Sequence, residues 1–294
     1  YINRFGVKPG KTAVIYTNNE SGYASIPTLM KAGIAVKAII DNRDTVSDEA
    51  TKLAGDLNIK IHSAHRLIKA NGRGRVKSTT IQSMSGGNSQ IISCKLVLMA
   101  GGWSPTAHLF SQIGGKLNFD DDLATLVADA STHSSYLIGA ANCQFDLAAC
   151  LQAGEDAAHQ ALDLTMQDSA LAVDGDTFVQ SDIVTDWANA ASNTKRSKTF
   201  VDFQNDVTVS DLALAAREGY SHVELAKRYT ATGMGMDQGK TSNVHAIGLL
   251  AEFTGERCQD IGHTTFRAPY TPVTFGAVAG REVHGNMTPV RCTP

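Results

Sequence analysis

Thr12-Ala13-Val14-Ile15-Tyr16-Thr17 runs into Asn18-Asn19-Glu20-Ser21-Gly22, and after residues 23–33 the chain resumes as Ile34-Ala35-Val36-Lys37-Ala38-Ile39-Ile40-Asp41. Both apolar stretches are rich in β-branched residues, as strands buried on two faces are, and residues 21–32 between them suit a helix. The order is that of a βαβ unit. It implies an α/β class and puts any ligand beyond the carboxyl end of the first strand, over the helix N-terminus. An acidic residue after the second strand serves in such units to bind a ribose hydroxyl, and Asp41 stands at that place. The turn Thr17-Asn18-Asn19-Glu20-Ser21-Gly22 lacks the glycine spacing that lets a pyrophosphate reach backbone amides, and Glu20 would repel it. The unit is therefore expected to be a degenerate binder, kept for packing.

Working outward, residues 48–57 suit another helix, and the polar alternation from His65 through Gly72-Arg73-Gly74 to Ile81 predicts an antiparallel hairpin or three-strand meander. Leu96-Val97-Leu98-Met99-Ala100-Gly101-Gly102-Trp103-Ser104-Pro105 is a buried strand with an abrupt glycine exit, where a backbone can approach a ligand closely. Tyr136-Leu137-Ile138-Gly139-Ala140-Ala141-Asn142 reads as a further short strand ending in small residues. An alanine-rich helix over 147–164 follows, with N-terminal amides that could face an anion beside Gly139. Residues 167–198, with Asp174-Gly175-Asp176 and Lys195-Arg196, read as an interdomain linker. Beyond it, Thr208 or Ser210 can cap a helix through Ala216, and Ser221 a second through Tyr229. A glycine-rich turn, Gly233-Met234-Gly235-Met236-Asp237-Gln238-Gly239, precedes a third helix over 240–253. These pieces make a small all-α module.

The bulk composition narrows the function. With 294 residues, 43% of them hydrophobic, the chain can bury two compact cores. A formal charge of −3 supplies no basic stripe to neutralise a phosphate backbone, so a nucleic-acid partner is not expected. No apolar run is long enough for a membrane span, and the start, Tyr1-Ile2-Asn3-Arg4-Phe5, has neither an initiator Met nor a signal segment, as expected of a soluble piece of something longer. Five widely spaced cysteines without a C-x-x-C suggest reduced thiols in a cytoplasmic protein. Nine scattered histidines show no ligand spacing, so no catalytic metal is expected. No Ser-His-Asp arrangement, carboxylate pair or reactive cysteine follows from spacing, and no catalytic acid, base or nucleophile is assigned.

The order of the pieces resembles a two-dinucleotide flavoprotein reductase in which an inserted βαβ domain is followed by the return half of its host. The first host strand with its G-x-G-x-x-G would then lie upstream of Tyr1. The helical module is similar in frame to the [2Fe-2S] module of amino-acid, opine and cyanide-forming dehydrogenase subunits, through Val207-Thr208 with Asp211, Lys227-Arg228-Tyr229-Thr230, Gly233-Met234-Gly235 and Gln238-Gly239-Lys240. At the four cluster positions this chain has Asp202, Gln204, Thr232 and Asp237, and clusters of this kind need thiolates. With Phe203-Gln204-Asn205-Asp206-Val207-Thr208, Gly239-Lys240-Thr241-Ser242-Asn243 and Thr264-Thr265-Phe266-Arg267-Ala268-Pro269-Tyr270-Thr271-Pro272-Val273, the chain resembles alpha subunits of heterotetrameric sarcosine oxidase over nearly its whole length.

That resemblance implies Rossmann-like dinucleotide-binding domains of the two-dinucleotide reductase type over residues 1–166, a linker over 167–198, and a cluster-free helical module over 199–274. Residues 275–294 resemble the opening of an aminomethyltransferase-like folate domain. It implies oxidative demethylation of sarcosine with O2 and tetrahydrofolate, NAD bound to this subunit, FMN at a subunit interface, FAD in the beta subunit, and gamma and delta partners. Gly101, Gly102, Gly139 and Ala140 are the expected NAD contacts, because small residues open backbone amides to a cofactor. The FMN phosphate is expected near Lys240, Thr241 and Ser242, where a glycine-rich turn feeds a helix; a solvated Lys240 beside a turn that merely closes the loop is the other reading. Arg228 and Arg267 could hold a flavin phosphate or pair with a carboxylate at a subunit interface. The rival functions are an amino-acid or opine dehydrogenase alpha subunit, and a non-catalytic scaffold whose nucleotide domain has lost its cofactor.

Overall fold

The run Thr12–Thr17 forms β1 and Ala35–Asp41 forms β2, paired in parallel from Thr12 opposite Ala35 to Thr17 opposite Asp41. In this computed structural model, which describes residues 1–129, 135–162, 183–192, 199–269 and 271–281, β3 (Lys60–His62) continues the sheet beyond β2. Strands β4 (His65–Gly72), β5 (Val76–Ser83) and β6 (Gln90–Ser93) form a separate antiparallel meander. Then β7 (Leu96–Ala100) returns to pair with the free side of β1, giving the parallel order β3-β2-β1-β7.

Side chains alternate across a strand, and β1 uses both faces. Ala13 and Ile15 are buried against Tyr23, Ile26 and Leu29 of the crossover helices. Val14 points the other way, into a cluster with Ile40, Ile81 and Cys94 that joins the sheet to the meander. The sheet is thus the middle of three layers, which is why its strands read as near-continuous apolar runs. Because β2 and β7 flank β1 on opposite sides, the carboxyl ends of β1 and β7 form the switch point at which such sheets open a crevice.

The local structure departs from the sequence reading in several places. The helix expected over 21–32 is two, Ser21–Ala24 and Ile26–Lys31, because Pro27 lacks an amide donor and restricts the residue before it. The strand expected at 136–142 is instead a single 3-10 turn, Gly139–Asn142. Its hydrogen bonds are local, with the Gly139 carbonyl accepting from the amides of Cys143 and Gln144. The following helix is Leu147–Ala161, and Asp146 caps it by accepting from the Ala149 amide. The second helix of the module is capped by the His222 ring rather than by Ser221, and the third begins at Asn243 rather than Lys240. Within the expected linker, Trp187–Ser192 is helical, whereas Asp174-Gly175-Asp176 and Lys195-Arg196 lie outside the described residues. Most of the expected folate-domain opening, residues 282–294, lies outside them too.

The chain divides into two compact units: Tyr1–Thr106, Asn118–Val127 and Tyr136–Asp186 form the first, and Ala107–Leu117, Ala128–Ser135 and Trp187–Pro294 the second. In the second, Phe200–Asp202 pairs antiparallel with Val207–Thr208 and leads into helix Val209–Arg217. A reciprocal capping box between Thr208 and Asp211 starts that helix. Its core is Val201, Val207, Val209 and Leu212 packed on Ala246 and Leu249 of helix Asn243–Thr254. The fold is therefore α/β with a parallel sheet, followed by a small helical module. No helix among the described residues is long and apolar enough to cross a membrane.

Gly22 is where the first crossover helix meets β1. A Cβ there would lie 2.5 Å from Thr17 Oγ1 and 2.6 Å from Thr17 Cβ. Thr17 cannot easily give way, since its hydroxyl donates to the Ala100 carbonyl at 3.1 Å. Gly22→Ala is expected to destabilise the first unit by about 1–3 kcal/mol, read as a lower urea midpoint in the intact subunit; an unchanged midpoint would refute the tight-contact argument.

Candidate functional site

At the switch point the turn after β1 is tied to the end of β7. The Ala100 carbonyl accepts from Thr17 Oγ1 (3.1 Å), Asn19 Nδ2 (3.1 Å) and the Asn18 amide (3.4 Å). Asn19 is buried, and its Oδ1 accepts from the amide of Ser21 (2.9 Å) and from the Ser21 hydroxyl. Asn18 Nδ2 reaches the Val184 carbonyl at 3.1 Å. Asparagine side chains thus use the amides and carbonyls that a glycine-rich turn would leave open to a pyrophosphate.

Asp41 is equally occupied. It is fully buried; its Oδ1 accepts from the Arg43 amide (2.9 Å) and Nε (3.0 Å), and its Oδ2 from Arg43 Nη2 (2.8 Å) and the Tyr23 hydroxyl (2.9 Å). Arg43 Nη1 meets Glu20 at 2.7 Å, and Ser47 Oγ donates to the other Glu20 oxygen at 3.1 Å. Burial works against the Arg43 charge, but Asp41 and Glu20 more than offset it and raise its pKa. Burial, and then the Asp41 charge, push the Tyr23 hydroxyl up. Glu20 faces an internal arginine, and Asp41 has both oxygens engaged, so neither fits the ribose and pyrophosphate of a dinucleotide bound across this turn.

The four glycine-loop residues lie elsewhere in the first unit. Gly101 and Gly102 follow β7 and are exposed, Gly101 with open space where a Cβ would be and Gly102 at φ 98. Ala140 is exposed as well, whereas the Gly139 amide donates to Gln144 Oε1 at 3.2 Å. The two loops are neighbours, because the rings of Trp103 and Phe145 lie 6.3 Å apart. Burial, and then Asp120, raise the Cys143 thiol to about 11, which leaves it protonated and unreactive at neutral pH.

In the helical module, Asp202 and Gln204 are hydrogen-bonded to the turn that carries Gly233 and Asp237. The buried Asp202 carboxylate accepts from the amides of Gln204 (2.9 Å), Asn205 (3.0 Å) and Gly233 (2.8 Å), the residue after Thr232, and from Asn205 Nδ2 (3.1 Å). Gln204 Oε1 accepts from the Asp237 amide at 3.0 Å. Burial disfavours the Asp202 charge, but these bonds outweigh it and hold its pKa below the ordinary 3.8. Ser242 is buried and its hydroxyl lies 3.4 Å from the same carboxylate, which would oppose a phosphate there. Thr241 is exposed. Lys240 lies by His108, whose pKa falls to about 4 through burial and then through the Lys240 charge. Gly239, at φ 73, admits the Asn243 side chain, whose Oδ1 would be 1.9 Å from a Cβ at that position.

A cavity of about 490 Å³ opens between helix Val223–Thr230, the turn 233–238 and the segment around Pro269. Three cations, Lys227, Arg228 and Arg267, share its wall with one carboxylate, Glu224. Glu224 accepts from Arg228 Nη1 at 2.7 Å and from the Thr265 amide at 3.2 Å, with Lys227 Nζ farther off at 4.0 Å. Gln238 fastens the far wall: its Oε1 accepts from the Arg267 amide (2.8 Å), and its Nε2 donates to the carbonyls of Arg267 (2.8 Å) and Pro269 (3.1 Å).

A family profile described as the sarcosine oxidase A3 domain matches residues 196–281. Across its full length the chain is 39% identical to sarcosine oxidase subunit alpha of Rhizobium meliloti (strain 1021) and 35% identical to that of Corynebacterium sp. (strain P-1). The chain belongs to the sarcosine oxidase alpha-subunit family. It spans 29% and 31% of the lengths of those two relatives. Among solved structures, the L-proline dehydrogenase of P. horikoshii superposes with a TM-score of 0.64 over 95% of this chain and 52% of its own, at 17% identity, a likeness of fold.

In this alpha-subunit segment the sequence reading singled out Asp41, Arg228 and Arg267 but missed their settings. Arg228 pairs with Glu224 four residues earlier on its own helix, a spacing visible in the sequence. The signal for Arg43 was also available, two residues beyond Asp41. Gln238, which fastens one wall of the cavity, carried no recognisable signal.

Removing Arg43 would leave Asp41 buried with its charge uncompensated. Arg43→Ala is expected to destabilise the first unit by about 3–5 kcal/mol, measured by chemical denaturation of the intact subunit. Asp202 binds its last proton at lower pH in the fold than in the unfolded chain, so its contribution is complete above 3.8 and is lost as pH falls through the lowered folded value. Asp202→Asn should therefore remove about 1.5–3 kcal/mol at neutral pH and flatten the loss of stability below that point. Faster amide hydrogen exchange over residues 202–205 and 233 would report it; unchanged exchange would exclude the carboxylate as a hub.

Proposed function

We propose that this chain serves in the alpha subunit of a sarcosine oxidase, an oxidoreductase that converts sarcosine, O2 and tetrahydrofolate to glycine, hydrogen peroxide and 5,10-methylenetetrahydrofolate. The observation that carries this reading is the hydrogen-bonded knot in which the Asp202 carboxylate holds the amides of Gln204 and Gly233 and the Gln204 side chain holds that of Asp237, with no cysteine at positions 202, 204, 232 or 237. It supports an oxidase subunit over an amino-acid or opine dehydrogenase subunit whose module holds an iron–sulfur cluster.

In this reading the chain binds and positions; it supplies no acid, base or nucleophile. NAD would lie against Gly101, Gly102 and Ala140 beside Gly139, because the turn 17–22 is closed by its own side chains. An FMN at the interface with the beta subunit would take its phosphate contact from Lys240 and Thr241 more readily than from Ser242, which faces Asp202. The flavins, when bound, carry the electrons. FAD would belong to the beta subunit, tetrahydrofolate to a C-terminal domain, and gamma and delta subunits would complete a cytoplasmic heterotetramer. The closed switch point with Asp41, Arg43 and Glu20 favours a second reading, a scaffold whose nucleotide domain holds no dinucleotide.

The test is to purify the whole subunit with its co-expressed partners, release the cofactors by denaturation, identify them by mass spectrometry and assay sarcosine-dependent peroxide. NAD, FMN and FAD together with peroxide are expected. Peroxide and flavins without NAD would select the scaffold reading for this segment, and iron with no peroxide would overturn the oxidase.

A further inference from the structure

We infer that residues 183–186 form a strap of the chain's own that closes the crevice at the switch point of the first unit, with Arg66 and Asp186 as a clasp that opens. The inference does not depend on the oxidase reading, and the strap and all its tethers belong to the first unit.

Position is the first argument. Three tethers hold the strap: the Ile183 amide donates to the Asp122 carbonyl at 3.2 Å, the Val184 carbonyl accepts from Asn18 Nδ2 at 3.1 Å, and Asp186 Oδ1 lies 3.5 Å from Arg66 Nη1. Their anchors stand on three separate parts of the unit, namely the turn at Asp122, the turn after β1, and β4 of the meander. Ile183 is buried and Thr185 exposed, the alternation of an extended segment laid on a surface. Burial raises the pKa of the Tyr16 hydroxyl, the Asn42 side chain works against that rise, and the Asp186 charge adds to it, so the strap ends beside the last residues of β1. It therefore crosses the place at which sheets of this kind receive a ligand.

The second argument is how incompletely the clasp is satisfied. At 3.5 Å the ion pair is longer than the charge-assisted hydrogen bond of about 2.7–2.9 Å that a well-seated arginine makes. Arg66 spends Nη2 on the Met84 carbonyl at 3.2 Å. Its Nε is buried without a hydrogen-bond partner among the described residues, and so is Asn42 Oδ1. A buried polar atom left unmade costs about as much as a formed hydrogen bond contributes, or more. The closed strap thus gains two hydrogen bonds and an ion pair but keeps a donor and an acceptor dry, and opening lets water reach both. Those two sides are comparable, which is the condition for a latch that a small push releases. Asp41 and Arg43, whose polar atoms are paired, show what a permanent fastening looks like in the same unit.

The test is amide hydrogen exchange on the intact, partner-bound subunit, read at Ile183. Asp186→Asn should speed exchange there about three- to tenfold, with Asp186→Glu in between, while the amides of Val14 and Ile15 in the centre of β1 stay unchanged. Salt at about 1 M should speed Ile183 exchange in the native subunit and add little in Asp186→Asn, because the screened pair is already gone. Tetranitromethane should nitrate Tyr16 faster in Asp186→Asn than in the native subunit. Exchange at Ile183 indifferent to Asp186→Asn would overturn the inference, as would an equal salt response in both proteins or nitration of Tyr16 at an unchanged rate. Acceleration that spreads to Val14 and Ile15 would mean loss of the fold rather than release of a strap, and native Ile183 exchanging like a free amide would mean no strap at all; either result overturns it. Protection of Ile183 that vanishes when the partners alone are removed would make the segment a subunit contact and overturn it too.

Discussion

A buried hydrogen-bonding group left without a partner is penalised by about 1–3 kcal/mol, and both units of this chain are arranged around that penalty. In the first, the carbonyl that ends β7 and the amides that follow β1 lie at a point where doubly wound sheets open toward a ligand. Asn19 and Thr17 satisfy them instead. In the second, the loops at 202–205 and at 233 have amides pointing inward, and Asp202 collects them. In each place side chains satisfy the backbone, and neighbouring loops are held together by them.

The same requirement explains what was legible in the sequence. The β1 and β7 runs were readable from their apolar composition, β1 because its central residues are buried on both faces, and β7 although Met99 is exposed. The meander was readable from alternation and from the turn at Gly72-Arg73-Gly74. The break at Pro27 was written in the chain as well, though the helical composition on either side masked it. Residues 136–142 failed for the opposite reason. They are apolar and small enough for a strand, but strand formation needs a neighbouring edge, and the Gly139 carbonyl finds its partners within five residues.

Site residues were less readable than elements. Glycines at strand ends are visible, but whether a neighbouring side chain consumes their amides is not, and Gly139 differs from Gly101 in that respect. The degenerate turn was foreseen from the missing glycines, yet Glu20 was read as a charge facing a ligand when it is the outer partner of Arg43. The cavity wall unites Lys227 with Arg267, forty residues apart, and the side chain of Gln238 fastens the Arg267 side of it. Such a meeting depends on tertiary packing, and no local spacing encodes it.

The Asp202 knot also concentrates the joining of two loops in one side chain. Its carboxylate is the common acceptor of three backbone amides, those of Gln204 and Asn205 in one loop and of Gly233 in the other. A change at that single position therefore loosens both loops at once, whereas a change at Gln204 releases only the Asp237 amide. The two loops thus share one main fastening where each could have had its own.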